Sequence, residues 1–158
     1  MNKELKKEVE EVLKNLKFVN VYVQEKENQK KKIQNGDRGA VQAVVNDLIK
    51  VSPTNSVSSR IESEAISNAA ILTILDFEIY KQQENERLIN KALEKMTKEQ
   101  QEIYINLYEK EKSLKETAKI LGCSPGTLIK NKKDFLEKIA VSLYGKDALK
   151  VKKNDWID

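Results

Sequence analysis

The chain contains no histidine and a single cysteine, Cys123, among its 158 residues. These counts exclude the usual zinc sites, nucleophile pairs that need a histidine base, and any intramolecular disulfide. No Gly-rich phosphate-binding loop occurs either. The sequence therefore predicts a protein that is not an enzyme and that has no catalytic residue, metal or cofactor.

Glycine and proline are also scarce, with 5 and 2 residues, which leaves little room for an all-β fold with many tight turns. No apolar run is long enough to span a membrane, and the charged start of the chain is unlike a signal peptide. A lone cysteine suits a reducing compartment. We therefore expect an all-α, cytoplasmic protein without a membrane partner.

Charge is abundant and nearly balanced, with 29 Lys and Arg against 25 Asp and Glu, for a net charge of +4. This balance permits nucleic-acid binding without requiring it. The segment 117–133 differs from the rest, because it contains four lysines and no acid: Lys119, Lys130, Lys132 and Lys133. Such a basic island predicts a surface for an anionic partner, and a solvated helix face is the alternative.

Two helices joined by a tight turn are predicted around this island. Ser113 and Glu116 have the spacing of a capping box, which marks the start of a helix. Gly122 is a C-terminal stop, because glycine adopts the left-handed conformation at little cost. Ser124 is a good N-cap for a second helix and Pro125 fits its first position. The pattern is typical of a helix-turn-helix, whose second helix enters the DNA major groove.

Apolar spacing indicates which face of this second helix is buried: Leu128, Phe135, Leu136, Ile139 and Leu143. The small Ala118 allows the two helices to approach closely. Cys123 in the turn is expected to fill a gap as a small hydrophobic residue rather than act as a reactive thiol.

The N-terminal part, from Asn2 to about Lys32, is predicted to be one long helix or half of a helical hairpin. Apolar residues recur at steps of three and four: Leu5, Val9, Val12, Leu16, Val19 and Val23. Such a stripe packs either on its own domain or in an intermolecular coiled coil. Valines alternate from Val19 to Val23, so a kink or a short extended piece there is the other possibility.

The middle of the chain is also predicted to be helical. A short helix covers residues 39–50, a polar connector covers 51–59, and helix resumes over 58–95 with a wide apolar face that includes Ala69, Leu72, Phe77 and Tyr80. Thr97 and Gln100 form another capping box. We divide the chain into residues 1–55 (N-terminal helical segment), 56–96 (connecting helices), 97–145 (DNA-binding domain) and 146–158 (tail).

Residues 86–144 resemble the fourth conserved region of bacterial sigma factors, a helix-turn-helix domain. The resemblance is carried by Leu93 to Met96, Ile103 to Tyr108, Glu116-Thr117-Ala118, Leu121-Gly122 and Ser124 to Leu128. Nothing in residues 1–60 resembles the part of a sigma factor that binds the −10 element. The small size and the N-terminal helices are instead similar to phage late transcriptional regulators of the ArpU/RinA type, which activate packaging and lysis genes.

This resemblance implies a sequence-specific, DNA-binding transcriptional regulator in the bacterial host cell. It also implies a set of DNA-binding residues in the second helix: Ser124, Gly126, Thr127, Lys130, Asn131, Lys132 and Lys133. Thr127, Lys130 and Asn131 are expected to face bases, since lysine pairs with guanine and asparagine with adenine. Lys132 and Lys133 are expected to hold phosphates, which fix the register of the protein on DNA.

One helix-turn-helix makes few contacts, so we expect a homo-oligomer or contact with host RNA polymerase to supply more. The apolar face of residues 61–80 and the N-terminal stripe are the candidate oligomer surfaces. Two other functions stay open. One is a terminase small subunit that binds packaging-site DNA, and the other is a polymerase-binding adaptor that does not contact DNA.

Overall fold

The computed structural model describes residues 1–51 and 68–150, and for residues 48–51 only the backbone is considered. Helices and turns make up this part of the chain and no strand occurs in it, which confirms the all-α prediction. No helix within the described ranges is long and apolar enough to cross a membrane. The predicted domain boundary at residue 55 lies outside the described residues, as do Ile61 and most of the tail.

Seven α-helices occur in the described ranges. They are α1 Lys3–Asn15, α2 Val19–Gln34, α3 Arg38–Val51, α4 Asn68–Glu94, α5 Lys98–Tyr104, α6 Leu114–Leu121 and α7 Pro125–Tyr144. Short 3-10 turns, Leu16–Phe18 and Lys146–Leu149, follow α1 and α7, and a π-helical turn, Ile105–Glu109, extends α5. By contacts, the chain forms two compact units: residues 1–18 with 84–158, and residues 19–83.

The unit of residues 19–83 has its own small core, in which α2, α3 and the first part of α4 contribute Ile33, Val44, Val45, Ile71 and Leu75. The chain turns at Gly36, and Asp37 begins α3 by accepting a hydrogen bond from the backbone N–H of Ala40 at 3.1 Å. Lys26 on α2 pairs with Glu78 on α4 at 3.2 Å, and Lys30 pairs with Asp76.

The apolar face predicted for α4 is wrong at three positions, because Ala69, Phe77 and Tyr80 are exposed. Ile71, Leu75 and Ile79 are buried instead, whereas Phe77 is 63% exposed and Tyr80 is 61% exposed. Ile71, Leu75 and Ile79 recur at steps of four, so they form one stripe that turns toward the core. Phe77 and Tyr80 lie off that stripe.

The predicted long N-terminal helix is interrupted. The 3-10 turn at Leu16–Phe18 separates α1 from α2, and residues from Val19 onward are α-helical rather than extended. Within the unit of residues 1–18 and 84–158, α1 packs on α7 and on the π-helical turn. Val9 and Leu13 are fully buried there. Among the stripe residues of α1, Val9 is buried and Leu5 and Val12 are half-buried, so the stripe packs on its own unit.

The structure confirms the local signals around the helix-turn-helix. Thr97 with Gln100 and Ser113 with Glu116 both form reciprocal capping boxes at the starts of α5 and α6. Gly122 ends α6 in the left-handed conformation, with φ of 68°. Ser124 accepts a hydrogen bond from the Thr127 N–H and begins α7, as predicted. These caps fix where one helix stops and the next begins.

We expect Gly122→Ala to destabilise the protein by about 1–2 kcal/mol, because an L-residue is strained at positive φ. Space is not the reason, since no atom lies within 4 Å of a Cβ built at Gly122. Gly126→Ala is the matched control, because a Cβ there also meets open space but the residue lies in a helix. That change should stabilise by up to about 1 kcal/mol. Urea unfolding measures whether the first change lowers the free energy of unfolding and the second raises it. Equal effects of the two changes would contradict the left-handed conformation of Gly122.

Candidate nucleic-acid interface

The turn between α6 and α7 is only three residues long, from Gly122 to Ser124. The N–H of Cys123 donates to the carbonyl of Ala118 at 3.0 Å, which closes the end of α6. Cys123 itself is half-buried, and Ala118 is buried as predicted. A short turn with a small residue beneath it allows α6 and α7 to pack together, so the direction of α7 is fixed by α6.

The buried face of α7 rests on aromatic residues of the preceding segment. Phe135 is fully buried and stacks on Tyr108 with ring centroids 6.0 Å apart, and Tyr108 stacks on Tyr104 at 6.4 Å. Burial, with the negative charge of Glu109 adding to it, raises the pKa of Tyr104 to about 12. Both tyrosines are therefore neutral near pH 7 and can serve as core residues.

The π-helical turn at Ile105–Glu109 places these rings. Lys110 donates its N–H to the carbonyl of Ile105 at 2.9 Å, a bond one residue longer than in an α-helix. The side chain of the buried Asn106 donates to the carbonyl of Glu102 at 2.8 Å. The capping box at Thr97 predicts a helix over residues 98–110 that buries Ile103, Ile105, Leu107 and Tyr108 in some combination. The wider turn shifts the register of the side chains, so Tyr104 and Tyr108 are buried whereas Ile105 and Leu107 are half-buried.

One side of α7 is exposed over its first turns. Gly126, Lys130 and Lys133 follow each other at steps of four and three along this side, and all three are exposed. Thr127, also exposed, lies beside them. We call these four residues the exposed ridge. In the described part of the chain, no ion pair involves Lys130 or Lys133, so both ammonium groups are available to an external anion.

Two of the predicted site residues lie on the flanks of α7 and contact other helices. Lys132 pairs with Glu10 of α1, with Nζ and Oε1 2.7 Å apart, and both side chains are largely buried. Asn131 donates its amide Nδ2 to Glu99 Oε1 of α5 at 2.9 Å. The structure thus brings Gly126, Thr127, Lys130 and Lys133 together on one surface, and it places Lys132 and Asn131 at its two sides.

Glu10 connects three elements of the unit. It accepts a hydrogen bond from the Tyr108 hydroxyl at 3.3 Å in addition to its ion pair with Lys132. Burial raises the pKa of Glu10, but Lys132, the nearby Lys6 and Tyr108 together outweigh burial and lower it below the usual 4.5. Because the folded pKa is lowered, the ionised carboxylate stabilises the protein above the unfolded pKa. This contribution is lost as the pH falls through the folded pKa.

Ser124 is exposed at the start of α7, but its hydroxyl is engaged. Its Oγ accepts from the Thr127 N–H at 3.2 Å and lies 2.8 Å from the Thr127 hydroxyl. Pro125 has no N–H and the N–H of Leu128 donates to the carbonyl of Ser124, so of residues 125–128 the Gly126 N–H alone has no partner among the described residues. With the positive end of the helix dipole, it can contribute to phosphate binding. Acidic residues appear on α7 only at Asp134 and beyond, which confines the basic surface to the first turns of the helix.

Two kinds of residue at this surface were not predicted from the sequence: exposed apolar residues near the ridge, and the glutamates that contact its flanks. Ile129 is 55% exposed beside the exposed ridge, and Ile120 on α6 is 52% exposed. Helical period could have identified Ile129, because Leu128 and Phe135 already define a buried face on which it does not lie. An exposed apolar side chain beside the ridge can contact a thymine methyl group. Glu10 pairs with Lys132 and Glu99 accepts a hydrogen bond from Asn131, but no local sequence pattern predicts either contact.

The described geometry defines a helix-turn-helix domain, with α6 as the first helix and α7 as the recognition helix. A protein-family model described as Sigma-70, region 4 matches residues 86–128. The match begins in the last part of α4 and ends one turn into α7. A sigma-70 region 4 domain is therefore present in this stretch, and it indicates a DNA-binding helix-turn-helix regulator. No curated protein and no solved structure matches the chain.

Proposed function

We propose that the protein is a sequence-specific transcriptional regulator that places the first turns of α7 in the major groove of duplex DNA. The observation that carries this proposal is the exposed ridge of α7. The opposite face of this helix is buried, and the ridge presents Lys130 and Lys133, which form no ion pair with the described residues, in the second and third turns after the N-cap. In helix-turn-helix proteins, the N-terminal residues of the second helix contact base edges. In this proposal Lys130 and Thr127 face bases, and Lys133 holds a phosphate.

Gly126 fits this arrangement because it has no side chain at the start of the ridge. Nothing within the described residues occupies the space around it, so its lack of a Cβ serves no packing need in the folded chain. A glycine on the surface that meets DNA lets the sugar-phosphate backbone approach closely. Gly126→Ala, which should raise stability, is then expected to weaken DNA binding.

Asn131 and Lys132 take different parts in the proposal. Asn131 reaches an adenine only if its amide leaves Glu99, and the exposed position of that pair allows the exchange. Lys132 would have to leave a largely buried carboxylate, which costs more than exchanging an exposed hydrogen bond. We therefore keep Asn131 among the proposed base contacts and rank Lys132 below Lys133 as a phosphate contact.

Architecture supports a finer biological role. Helices ahead of a sigma-like domain favour a phage late-gene activator of packaging or lysis, acting in the bacterial cytoplasm with host RNA polymerase. A homo-oligomer would add a second half-site. Because the stripe of α1 packs on its own unit, we place the oligomer surface on α4, where Phe77 and Tyr80 are exposed. Sedimentation of a dimer supports this, and a ring of many subunits supports the terminase alternative.

The test is selection of bound duplexes from a random-sequence pool by the purified protein. We expect one enriched motif. Lys130→Ala should lose discrimination at one base position of that motif, whereas Lys133→Ala should select the same motif with lower affinity. A pool that stays random would contradict sequence-specific binding. Polymerase binding without any duplex retention would support the adaptor alternative instead.

A further inference from the structure

A groove of about 520 Å³ lies along the start of α7 and includes a residue from the other end of the chain. Its lining consists of apolar or small residues and lysines: Leu114, Gly126, Ile129, Lys6, Lys130, Lys132 and Lys133. No acid lines it. Lys6 belongs to α1, which the sequence separates from α7 by more than a hundred residues and which lies outside the matched region 86–128.

Lys132 pairs with Glu10, whose carboxylate also interacts with Lys6 at longer range. In the described part of the chain, three of the lining lysines form no ion pair: Lys6, Lys130 and Lys133. Three such ammonium groups around one groove repel each other, and an anion between them removes that repulsion. In the proposed complex, α7 enters the major groove of the duplex, and a row of phosphates lies along the edge of that DNA groove. Charge complementarity therefore favours a DNA backbone strand as the occupant.

The position of Lys6 is fixed by contacts made elsewhere on α1. Val9 and Leu13 are fully buried, Glu10 pairs with Lys132 and accepts from Tyr108, and Glu8 accepts from the Tyr144 hydroxyl at 3.1 Å. Lys6 itself is exposed. These contacts hold one face of α1, so the position of its neighbouring face is also fixed. Binding of a phosphate by Lys6 therefore does not have to order the helix, and its entropic cost is small.

We propose that α1 is part of the DNA-binding surface: Lys6 binds a phosphate beside the recognition helix, and the Glu10–Lys132 pair positions α1 for this contact. The inference rests on the proposed function. It assigns to Lys6 the backbone contact that the sequence led us to expect from Lys132. Lys132 is a positioning residue that ties α1 to α7.

The test measures duplex affinity by fluorescence anisotropy over a range of salt concentrations, with the full chain. The salt slope is the change of log affinity with log salt concentration, and it is negative for DNA binding. Each lost phosphate contact makes it about 0.9 less steep. A variant that matches the unchanged protein at 1 M salt therefore binds about eightfold more weakly at 0.1 M salt. We expect this loss for Lys6→Gln. Lys7→Gln, one position along α1 at an exposed lysine that does not line the groove, removes the same charge. It should leave the slope unchanged.

A second arm examines the pair. Glu10→Gln with Lys132→Gln removes both charges and leaves neither side chain with an unpaired charge. Because the pair positions Lys6, the double variant should make the salt slope less steep by no more than Lys6→Gln does, and adding Lys6→Gln to it should bring no further change. A slope reduced by this double variant and not by Lys6→Gln would overturn the proposal. Thermal unfolding of each variant separates loss of contact from loss of fold.

The outcomes distinguish this inference from the proposed function. If Lys6→Gln behaves as Lys7→Gln while Lys130→Ala and Lys133→Ala weaken binding, α1 has no part in the DNA contact and α7 keeps its role. If the unchanged protein binds no duplex at low salt, the proposed function fails and the contact of Lys6 fails with it.

Discussion

Replacing Phe135 by alanine is expected to lower the free energy of unfolding by about 3–5 kcal/mol, the usual cost of emptying a buried aromatic site. Phe135 is fully buried and its ring stacks on Tyr108. Through that contact it joins the recognition helix to the π-helical turn. Because small domains are stable by only about 5–15 kcal/mol, this one change removes a large share of the stability.

Phe18→Ala is the matched control for this prediction. Phe18 is the same residue type in the same unit of the chain, but it is 55% exposed and its ring contacts only the neighbouring Lys17 among the described cations. Its replacement should change the free energy of unfolding by no more than about 1 kcal/mol. Denaturant unfolding followed by circular dichroism measures both variants. Similar effects of the two changes would contradict the packing described for α7.

Removing both ridge lysines, with Lys130→Ala and Lys133→Ala in one protein, is the second large effect we expect. Loss of the Lys133 phosphate contact makes the salt slope about 0.9 less steep and weakens duplex binding about eightfold at 0.1 M salt relative to 1 M. Loss of the Lys130 base contact costs about 1–3 kcal/mol more on the selected motif. The fold should be unaffected, because both side chains are exposed and form no ion pair with the described residues. Affinity is measured by anisotropy with a labelled duplex.

Lys31→Ala with Lys32→Ala provides the control, since it removes the same net charge at the exposed end of α2. A general effect of net charge would weaken binding equally in both double variants. The account requires a much smaller loss for the α2 pair. An equal loss would mean that DNA contacts the protein without regard to the ridge.

Local signals in the sequence were enough to predict the junction of the helix-turn-helix. A capping box, a left-handed glycine and a serine N-cap act within four residues of their own positions, so each can be identified without knowledge of the fold. The structure has all three at Ser113, Gly122 and Ser124. The buried face of α7 was also predictable, because its period is set by the helix itself.

Long-range packing could not be predicted in the same way. Glu10 and Lys132 are distant in sequence, and nothing in the pattern of α1 distinguishes a partner within its own unit from a second chain. Two lysines side by side, Lys132 and Lys133, therefore looked alike in the sequence and have different surroundings in the structure. The π-helical turn was missed because one extra residue per turn leaves no mark in composition.

The central claim is that the exposed ridge of α7 meets DNA, and amide chemical-shift changes on adding a duplex with the selected motif test it most directly. We expect the largest changes over residues 124–133, with smaller ones near Lys6 and little change in α2 and α3. Changes concentrated on α2, α3 or the first part of α4, with residues 124–133 unaffected, would contradict the account.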